Sequence, residues 1–93
     1  MLLGLYRVKG HSMQPEFKDG DSVFVSSIVY FFKNPKIGDV VLAKNNKTNE
    51  IFIKRIVKIE KNKFLLVGDN KEDSLDLGFV ERKDIVGKVL LSV

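Results

Sequence analysis

The chain has 93 residues, which predicts one domain with room for one modest core. It has no cysteine and one histidine, so disulfides and thiolate metal sites are excluded, and neither a metal nor a cofactor is expected. The net charge is +4, but the basic residues are scattered and only three are arginine, so we expect no nucleic-acid partner. No stretch approaches the roughly 20 apolar residues that span a bilayer, and we expect a cytoplasmic or peripheral membrane protein.

Short runs rich in Val, Ile and Phe alternate with turns rich in Gly, Asn and Asp along the chain. No long run has a helical period. The pattern predicts an all-β fold that is compact, mostly antiparallel and shaped like a partly closed barrel. The expected strands are residues 2–8, a strand around Val23 and Val25, and residues 39–44, 50–60, 64–67 and 85–91.

The segment from Ile28 to Phe32 has the sequence Ile-Val-Tyr-Phe-Phe and is followed by the turn residues Asn34 and Pro35. One interpretation is a core strand or a packed loop. The other is a partly exposed apolar patch that touches lipid or substrate, and it predicts peripheral membrane contact.

A serine follows the first expected strand, in the run Gly-His-Ser-Met-Gln-Pro of residues 10–15. Gly10 permits backbone dihedrals that other residues avoid, and Pro15 fixes the turn that follows. Such a corner presents the hydroxyl of Ser12, which needs a base to become a nucleophile. His11 is a poor candidate because adjacent side chains of an extended segment point to opposite faces, so we expect it to line a cleft or face solvent.

A lysine becomes a base when burial lowers its pKa from about 10.4 towards neutrality. Lys54 is the best candidate because it lies mid-strand, and period two places it between Phe52 and Ile56 on one face. The alternative is an ordinary strand lysine whose ammonium group reaches water.

A third segment, residues 68–76, begins Gly-Asp-Asn and continues to Ser74 and Asp76. Gly, Asp and Asn together indicate a tight turn whose side chains bond nearby backbone. In other proteins a pair of carboxylates acts as general acid and base, and Asp73 and Asp76 are close enough in sequence to form such a pair. Here the pattern alone indicates only a polar, solvated loop.

Three segments resemble bacterial type I signal peptidases, both in sequence and in order. They are Gly-x-Ser-Met-x-Pro, then a strand with Lys-Arg-Ile-Val, then Gly-Asp-Asn and Ser-x-Asp. The Gly-Asp-Val-Val box at residues 38–41, the Gly-Asp turn at residues 20–21 and the closing strand at residues 85–89 extend the resemblance over nearly the whole chain. Each box alone is weak evidence, whereas their common order is specific.

The resemblance implies a serine endopeptidase with a Ser/Lys dyad, in which Ser12 attacks the scissile carbonyl and Lys54 takes its proton. Ser74 matches a serine that orients the lysine, and the backbone N–H of Ser12 donates to the oxyanion. The implied partner is an extended polypeptide substrate, a precursor protein cut next to small residues. The implied substrate-binding residues are Gly10, His11 and Met13, and the implied structural residues at the site are Pro15, Gly68, Asp69, Asn70 and Asp76.

Several features depart from that pattern. The arginine that pairs with the Ser-x-Asp aspartate in many members has no counterpart beside Asp76, so Arg55 or Arg82 is a candidate substitute. Gly10 stands where some members have an oxyanion-hole serine. The inserted second domain and the membrane anchor have no counterpart, so residues 1–93 are expected to form a single minimal catalytic domain. This form is most similar to small maturation peptidases, such as those that process nickel-type superoxide dismutase.

Two alternatives remain beside the peptidase. One is a self-cleaving regulator of the LexA-like type, which shares the Ser/Lys logic and a similar β core. The other is a non-catalytic β module that binds peptide or membrane, which the missing arginine partner of Asp76 favours.

Overall fold

The computed structural model describes residues 3–70 and 78–93. Within these residues the chain forms seven strands, a one-turn α-helix and a 3₁₀ turn. The prediction of an all-β, mostly antiparallel fold is confirmed. In chain order the elements are β1 (Leu3–Arg7), β2 (Ser22–Ser26), α1 (Val29–Phe32), β3 (Val40–Lys44), β4 (Ile51–Glu60), β5 (Lys63–Val67), β6 (Phe79–Glu81), the 3₁₀ turn (Arg82–Asp84) and β7 (Ile85–Ser92).

The strands form one sheet in the order β1-β2-β7-β3-β4-β5-β6, and every paired neighbour is antiparallel. In the part of the chain that the structure describes, β1 and β6 are the two edge strands, so the sheet is not fully closed. The strand β7 comes last in this sequence but lies near the middle of the sheet, between β2 and β3.

Apolar side chains are buried on both faces of the central strands. On β3, Val40 and Leu42 point to one face, while Val41 and Ala43 point to the other. The first core cluster consists of Val8, Met13, Phe17, Val23, Val25, Val40, Leu42, Ile53 and Val89. The second core cluster consists of Tyr30, Val41, Ala43, Ile56, Phe64 and Leu66.

Three strand pairs contain a register shift: β2 with β7, β3 with β7, and β4 with β5. Such bulges bend strands and increase their twist, which lets the sheet curve around its own core. Gly87 lies close to β2, because a Cβ atom built there would be 2.8 Å from the carbonyl oxygen of Ser26. The close approach of β7 to β2 therefore requires glycine at this position.

The segment from Ile28 to Phe32 forms no strand, so that part of the prediction is wrong. Val29–Phe32 is a single helical turn, and Tyr30 packs into the second core cluster. Phe31 and Phe32 are 75% and 83% exposed, as the apolar-patch interpretation predicts. Within residues 3–70 and 78–93 no helix has the length and apolar character needed to cross a membrane.

Candidate active site

The corner that carries Ser12 lies between β1 and β2. A hydrogen bond joins its two ends: the Val8 N–H donates to the Asp21 carbonyl at 2.7 Å. Gly10 has φ +82°, a positive dihedral that glycine permits, and its N–H donates to the Asp19 carboxylate at 2.8 Å. Ser12 is half-buried within the turn that follows.

The residue after Ser12 fastens this corner to the sheet. Met13 is 1% exposed and packs in the first core cluster together with Val8 and Phe17. The Phe17 N–H donates to the Met13 carbonyl at 2.9 Å, which closes the turn around Pro15, whose preceding peptide bond is cis. The position of Ser12 is therefore fixed by apolar packing directly beneath it.

His11 is exposed, in agreement with the sequence prediction of a solvent-facing or cleft-lining residue. Its Nδ1 lies 2.8 Å from Nε2 of Gln14, so the two side chains form a polar pair beside Ser12. The imidazole is thus held towards Gln14 on the outer surface of the corner.

Lys54 lies on β4 directly opposite Val41 of β3, and residues opposite each other in antiparallel strands point to the same face. Val41 is fully buried in the second core cluster, and Lys54 itself is 2% exposed. No other lysine of the described residues is buried. Burial of this degree excludes an ammonium group that reaches bulk water, and it disfavours the charged form of a lysine.

The next residue on β4, Arg55, binds the loop that follows β5. Its Nε and Nη2 donate to the two carboxylate oxygens of Asp69, each at 2.9 Å, and its Nη1 donates to the Gly38 carbonyl at 2.9 Å. The hydrogen bonds to Asp69 are the main reason that the pKa of Arg55 is raised, so the guanidinium stays charged. This ion pair joins β4, the turn before β3 and the Gly68–Asn70 loop.

Asn70 connects that loop to the Ser12 corner. Its backbone N–H donates to the Ser12 carbonyl at 2.7 Å, and its side-chain Nδ2 donates to the His11 carbonyl at 3.0 Å. Because Val67 pairs with Arg55, the antiparallel register places Gly68 at the level of Lys54. The loop thus contacts the peptide of Ser12 at one end and begins beside Lys54 at the other.

Two predicted site residues, Ser74 and Asp76, lie outside the described residues, as does Asp73. Both arginines proposed as partners of Asp76 have other partners: Arg55 binds Asp69, and Arg82 binds the Tyr30 carbonyl and lies over the Tyr30 ring. Among the described residues, 3–70 and 78–93, no group of three or more His, Cys, Asp or Glu side chains is arranged to hold a metal ion.

Sequence reasoning missed the partners of the Gly68–Asn70 loop. It placed Asp69 and Asn70 at the site without assigning them contacts, and it offered Arg55 to Asp76 instead of Asp69. The signal lay in the pairing of β4 with β5. Arg55 lies opposite Val67, so Asp69 is two residues further along on the same face, within reach of a long side chain.

Residues 3–90 match the family described as Peptidase S24-like. Signal peptidase IB of Staphylococcus aureus strain Mu50 is 38% identical over 80 residues, which is 80% of this chain and 41% of that protein. Signal peptidase IB of strain COL is 36% identical over the same shares of each chain. Signal peptidase I of Leptolyngbya laminosa is 24% identical over 132 residues, covering 90% of this chain and 65% of that protein.

The chain thus spans less than half the length of the staphylococcal relatives that it matches. The alignment with the Leptolyngbya protein is longer than this chain, so that relative has additional residues inserted within the aligned region. The family match, in contrast, covers nearly all of the chain. The chain belongs to the S24-like peptidase family and is similar to type I signal peptidases.

Proposed function

We propose that this chain is a serine endopeptidase in which Ser12 is the nucleophile and Lys54 is the general base. The observation that carries the proposal is the burial of Lys54 on β4, next to the loop whose Asn70 binds the Ser12 carbonyl at 2.7 Å. A lysine serves as a base only when it is neutral, and burial favours that form. A serine on a packed corner and a neutral lysine are the two groups that this acyl transfer requires.

In the proposed reaction Lys54 takes the hydroxyl proton of Ser12 as its Oγ attacks the scissile carbonyl. The backbone N–H of Ser12 donates to the oxyanion that forms, and Lys54 then returns the proton to the leaving amine. Water hydrolyses the acyl-enzyme in the second half of the cycle. Ser74 is proposed to orient the Lys54 amine through a hydrogen bond.

The proposed substrate is an extended segment of a precursor protein with small residues at the cut. An extended peptide adds to a sheet through main-chain hydrogen bonds at an exposed strand edge. Gly10 and His11 are proposed to lie along it. Met13 is 1% exposed, so its side chain supports the corner from beneath instead of binding substrate. Pro15, Gly68, Asp69, Asn70 and Asp76 are proposed to support the site. Residues 1–93 would then form a minimal catalytic domain.

The test is the appearance of new protein amino termini in a cell lysate that is incubated with the wild type, with Ser12→Ala or with Lys54→Met. Each substitution should lower the cleavage rate by a factor of about 10⁴ or more, because the nucleophile and its base act as a unit. The matched controls are Ser92→Ala at the end of β7 and Lys58→Met on β4, both exposed, and both should cleave at the wild-type rate. Wild-type activity in Lys54→Met would contradict the assignment.

The rate should also rise with pH. The base is the neutral amine, so cleavage increases as Lys54 loses its proton and levels off once it is neutral. An acylating probe applied across a pH series measures this directly, because labelling of Ser12 follows the same proton transfer. Labelling that is independent of pH, or directed to another serine, would count against Lys54 as the base.

A further inference from the structure

The row of the sheet that contains Lys54 also contains a second lysine. Val41 of β3 lies opposite Lys54 of β4 on one side and opposite Lys88 of β7 on the other. Directly opposite residues of antiparallel strands point to the same face, so these three side chains form one row. Neighbouring strands are about 4.8 Å apart, which places the Cβ atoms of the two lysines about 10 Å apart. Charges at such a distance within a folded protein influence each other's protonation.

A carboxylate lies beside this row, on the same face. Asp39 comes two residues before Val41, and its carboxylate accepts a hydrogen bond from the hydroxyl of Tyr30, which packs in the second core cluster. The Ile56 N–H donates to the Asp39 carbonyl at 2.9 Å, so Asp39 is level with Ile56 and is a diagonal neighbour of Lys54. Diagonal neighbours across a strand pair are about 7–8 Å apart. The Asp39 carboxylate is therefore near enough to influence Lys54.

The fold depends on the Asp39 carboxylate at two other points. Its Oδ2 accepts from the Lys36 backbone N–H at 3.1 Å, which closes the turn before β3, and from the Tyr30 hydroxyl at 2.8 Å. The second contact helps to keep Tyr30, and with it α1, on the second core cluster. The same negative charge, left uncompensated, would favour the protonated form of Lys54, which cannot accept a proton from Ser12.

Lys88 supplies the compensating charge. Its Nζ lies 3.6 Å from Oδ1 of Asp39, and the two side chains are 36% and 15% exposed. This partial burial limits the screening of both charges by water and salt. The carboxylate favours the protonated form of Lys54 and the second ammonium group disfavours it, so the two effects oppose each other. The pair thus leaves Lys54 in surroundings of little net charge, where its burial favours the neutral form.

Two further ionisable groups belong to the 3₁₀ turn, which packs beside this face. The Arg82 guanidinium binds the Tyr30 carbonyl and lies over the Tyr30 ring. The Asp84 carboxylate accepts a hydrogen bond from the Glu81 N–H at 3.2 Å, within the turn itself. Both contacts are separate from the ion pair described above, so they are the same in every variant below.

The other elements around Lys54 carry ionisable groups that point elsewhere. Arg55 follows Lys54 on β4 and so points to the opposite face, where it forms an ion pair with Asp69 at 2.9 Å. His11 is exposed on the outer surface of its corner. The strand β5 contributes apolar residues of the second core cluster. Within the described residues, the ion pair of Lys88 is therefore the place where charge on the face of Lys54 is balanced.

We infer that Lys88 is a positioning residue of the proposed dyad, because its ammonium group offsets the Asp39 carboxylate and lets Lys54 give up its proton. In this role Lys88 acts on Lys54 through the charge of Asp39 and has no contact with substrate. The inference rests on the proposed role of Lys54 as the general base. If the ion pair served only to stabilise the sheet, its removal would change stability and leave the protonation of Lys54 as it is.

The first measurement follows the protonation of Lys54 directly and needs no peptidase activity. The full chain with Ser12→Ala is labelled with ¹³C-lysine, and the Lys54 Cε resonance is the one that disappears when Lys54→Met is added. Lys88→Met should move the titration midpoint of this resonance to higher pH by about half a unit to one unit, because the Asp39 charge is left uncompensated. Lys88→Arg keeps the cation and should keep the starting midpoint.

Asp39→Asn should move the same midpoint in the opposite direction. It leaves the Lys88 cation uncompensated, which lowers the midpoint by a similar amount, and asparagine keeps an oxygen that accepts from Tyr30. Combining it with Lys88→Met removes both charges and should return the midpoint to within about 0.3 units of the starting value. Opposite shifts distinguish charge from loosened packing, since water that reached Lys54 would move the midpoint the same way in both variants.

The second measurement is the rate at which an acylating probe labels Ser12 across a pH series. At pH 7 Lys88→Met should be labelled about three- to tenfold more slowly than the wild type, because a smaller fraction of Lys54 is neutral. At a pH above both midpoints the two rates should converge, which a loss of folded protein would not produce.

The Lys58–Glu60 ion pair on β4 provides matched controls, because both of its side chains are more than half exposed. Lys58→Met and Glu60→Gln remove the same charges as Lys88→Met and Asp39→Asn. Both should leave the titration midpoint and the labelling rate unchanged, since water and salt screen exposed charges. Urea denaturation shows that each variant is folded under the conditions of the assay.

The outcomes separate this inference from the proposed function. Unchanged midpoints in Lys88→Met and Asp39→Asn, or shifts in the same direction, would overturn the role of Lys88, while labelling of Ser12 would still support the dyad. Wild-type protein that is not labelled at Ser12 would overturn the dyad and with it the positioning role. We expect opposite shifts, together with slower labelling of Lys88→Met that recovers at high pH.

Discussion

Two segments of the proposed site, the Ser12 corner and the Gly68–Asn70 loop, are held by different forces. The Ser12 corner rests on the first core cluster, where Met13 and Val8 are almost wholly buried. The Gly68–Asn70 loop on the other side is held by the Arg55–Asp69 ion pair and by two hydrogen bonds from Asn70. One side is fixed by apolar burial and the other by directional polar contacts.

Because of this difference, the contacts that stabilise the fold are not the same as those that align the residues of the proposed site. Apolar burial is non-directional and supplies most of the free energy of folding. Charge-assisted hydrogen bonds contribute less to that free energy but fix distances and angles. We therefore expect substitutions in the apolar core beneath Ser12 to lower mainly the stability of the fold. Substitutions that remove the contacts of the Gly68–Asn70 loop should lower activity more than stability.

Met13→Ala should have the largest effect on stability. It removes a side chain that is 1% exposed from the first core cluster, and such truncations cost about 2–5 kcal/mol through lost burial and the cavity left behind. Urea denaturation measures the change. If the free energy of unfolding fell by less than about 1 kcal/mol, Met13 would not be the fastening residue described above.

Arg55→Met should have a smaller effect on stability and a larger relative effect on cleavage. It removes both hydrogen bonds to Asp69 and the one to Gly38, which we expect to cost about 1.5–3 kcal/mol. The cleavage rate, measured where the variant is fully folded, should fall by about tenfold or more, since Asn70 would lose its alignment with Ser12. A folded variant with the wild-type rate would show that the loop contacts do not position the nucleophile.

Tyr30→Phe should cost about 1 kcal/mol at neutral pH, because it removes the hydrogen bond to Asp39 and keeps the ring packing. Burial and then the Asp39 contact raise the pKa of Tyr30 above 10.0, so the folded state keeps its proton when the unfolded chain loses it. The free energy of unfolding should therefore fall as pH rises above about 10. This alkaline slope should be shallower in Tyr30→Phe, and an unchanged slope would assign it to other groups such as Tyr6, whose pKa burial also raises.

Lys58→Met should have the smallest effect and serves as the reference for Arg55→Met. The Lys58–Glu60 ion pair is 2.7 Å long, but both side chains are more than half exposed. Exposed pairs contribute about 0–1 kcal/mol, and we expect a change of no more than about 0.5 kcal/mol with unchanged cleavage. A loss comparable to that of Arg55→Met would mean that any ion pair on β4 matters, whatever its position.

The strand pattern predicted most of the sheet because apolar alternation is a local property of the sequence. All six expected strands are present in the described residues, and the five with predicted ends match them to within one residue. The pattern missed β6, which has only three residues, of which two are apolar. It missed α1 because aromatic and β-branched residues favour strands, whereas the contacts that hold this turn, with Tyr30 buried against the sheet, are long-range.

The site was predictable in part. The position of Lys54 between apolar neighbours left two interpretations open, a buried base and a strand lysine whose ammonium group reaches water, and its 2% exposure supports the first. The contacts of Asp69 and Asn70 were not predictable from local pattern, because they join segments 14 and 58 residues apart in sequence. Those contacts follow from strand order, which a single sequence does not state.

The location of β7 has a consequence for how this domain reaches its native state. Residues 85–92 bridge β2 and β3, so the β1–β2 hairpin and the β3–β6 meander have no direct strand pairing with one another. Biosynthesis of the chain produces both pieces before the strand that joins them. Until that strand emerges, the two pieces have only the side-chain packing of the first core cluster to hold them together. Assembly of the sheet is therefore expected to be slow relative to a sheet of sequential hairpins.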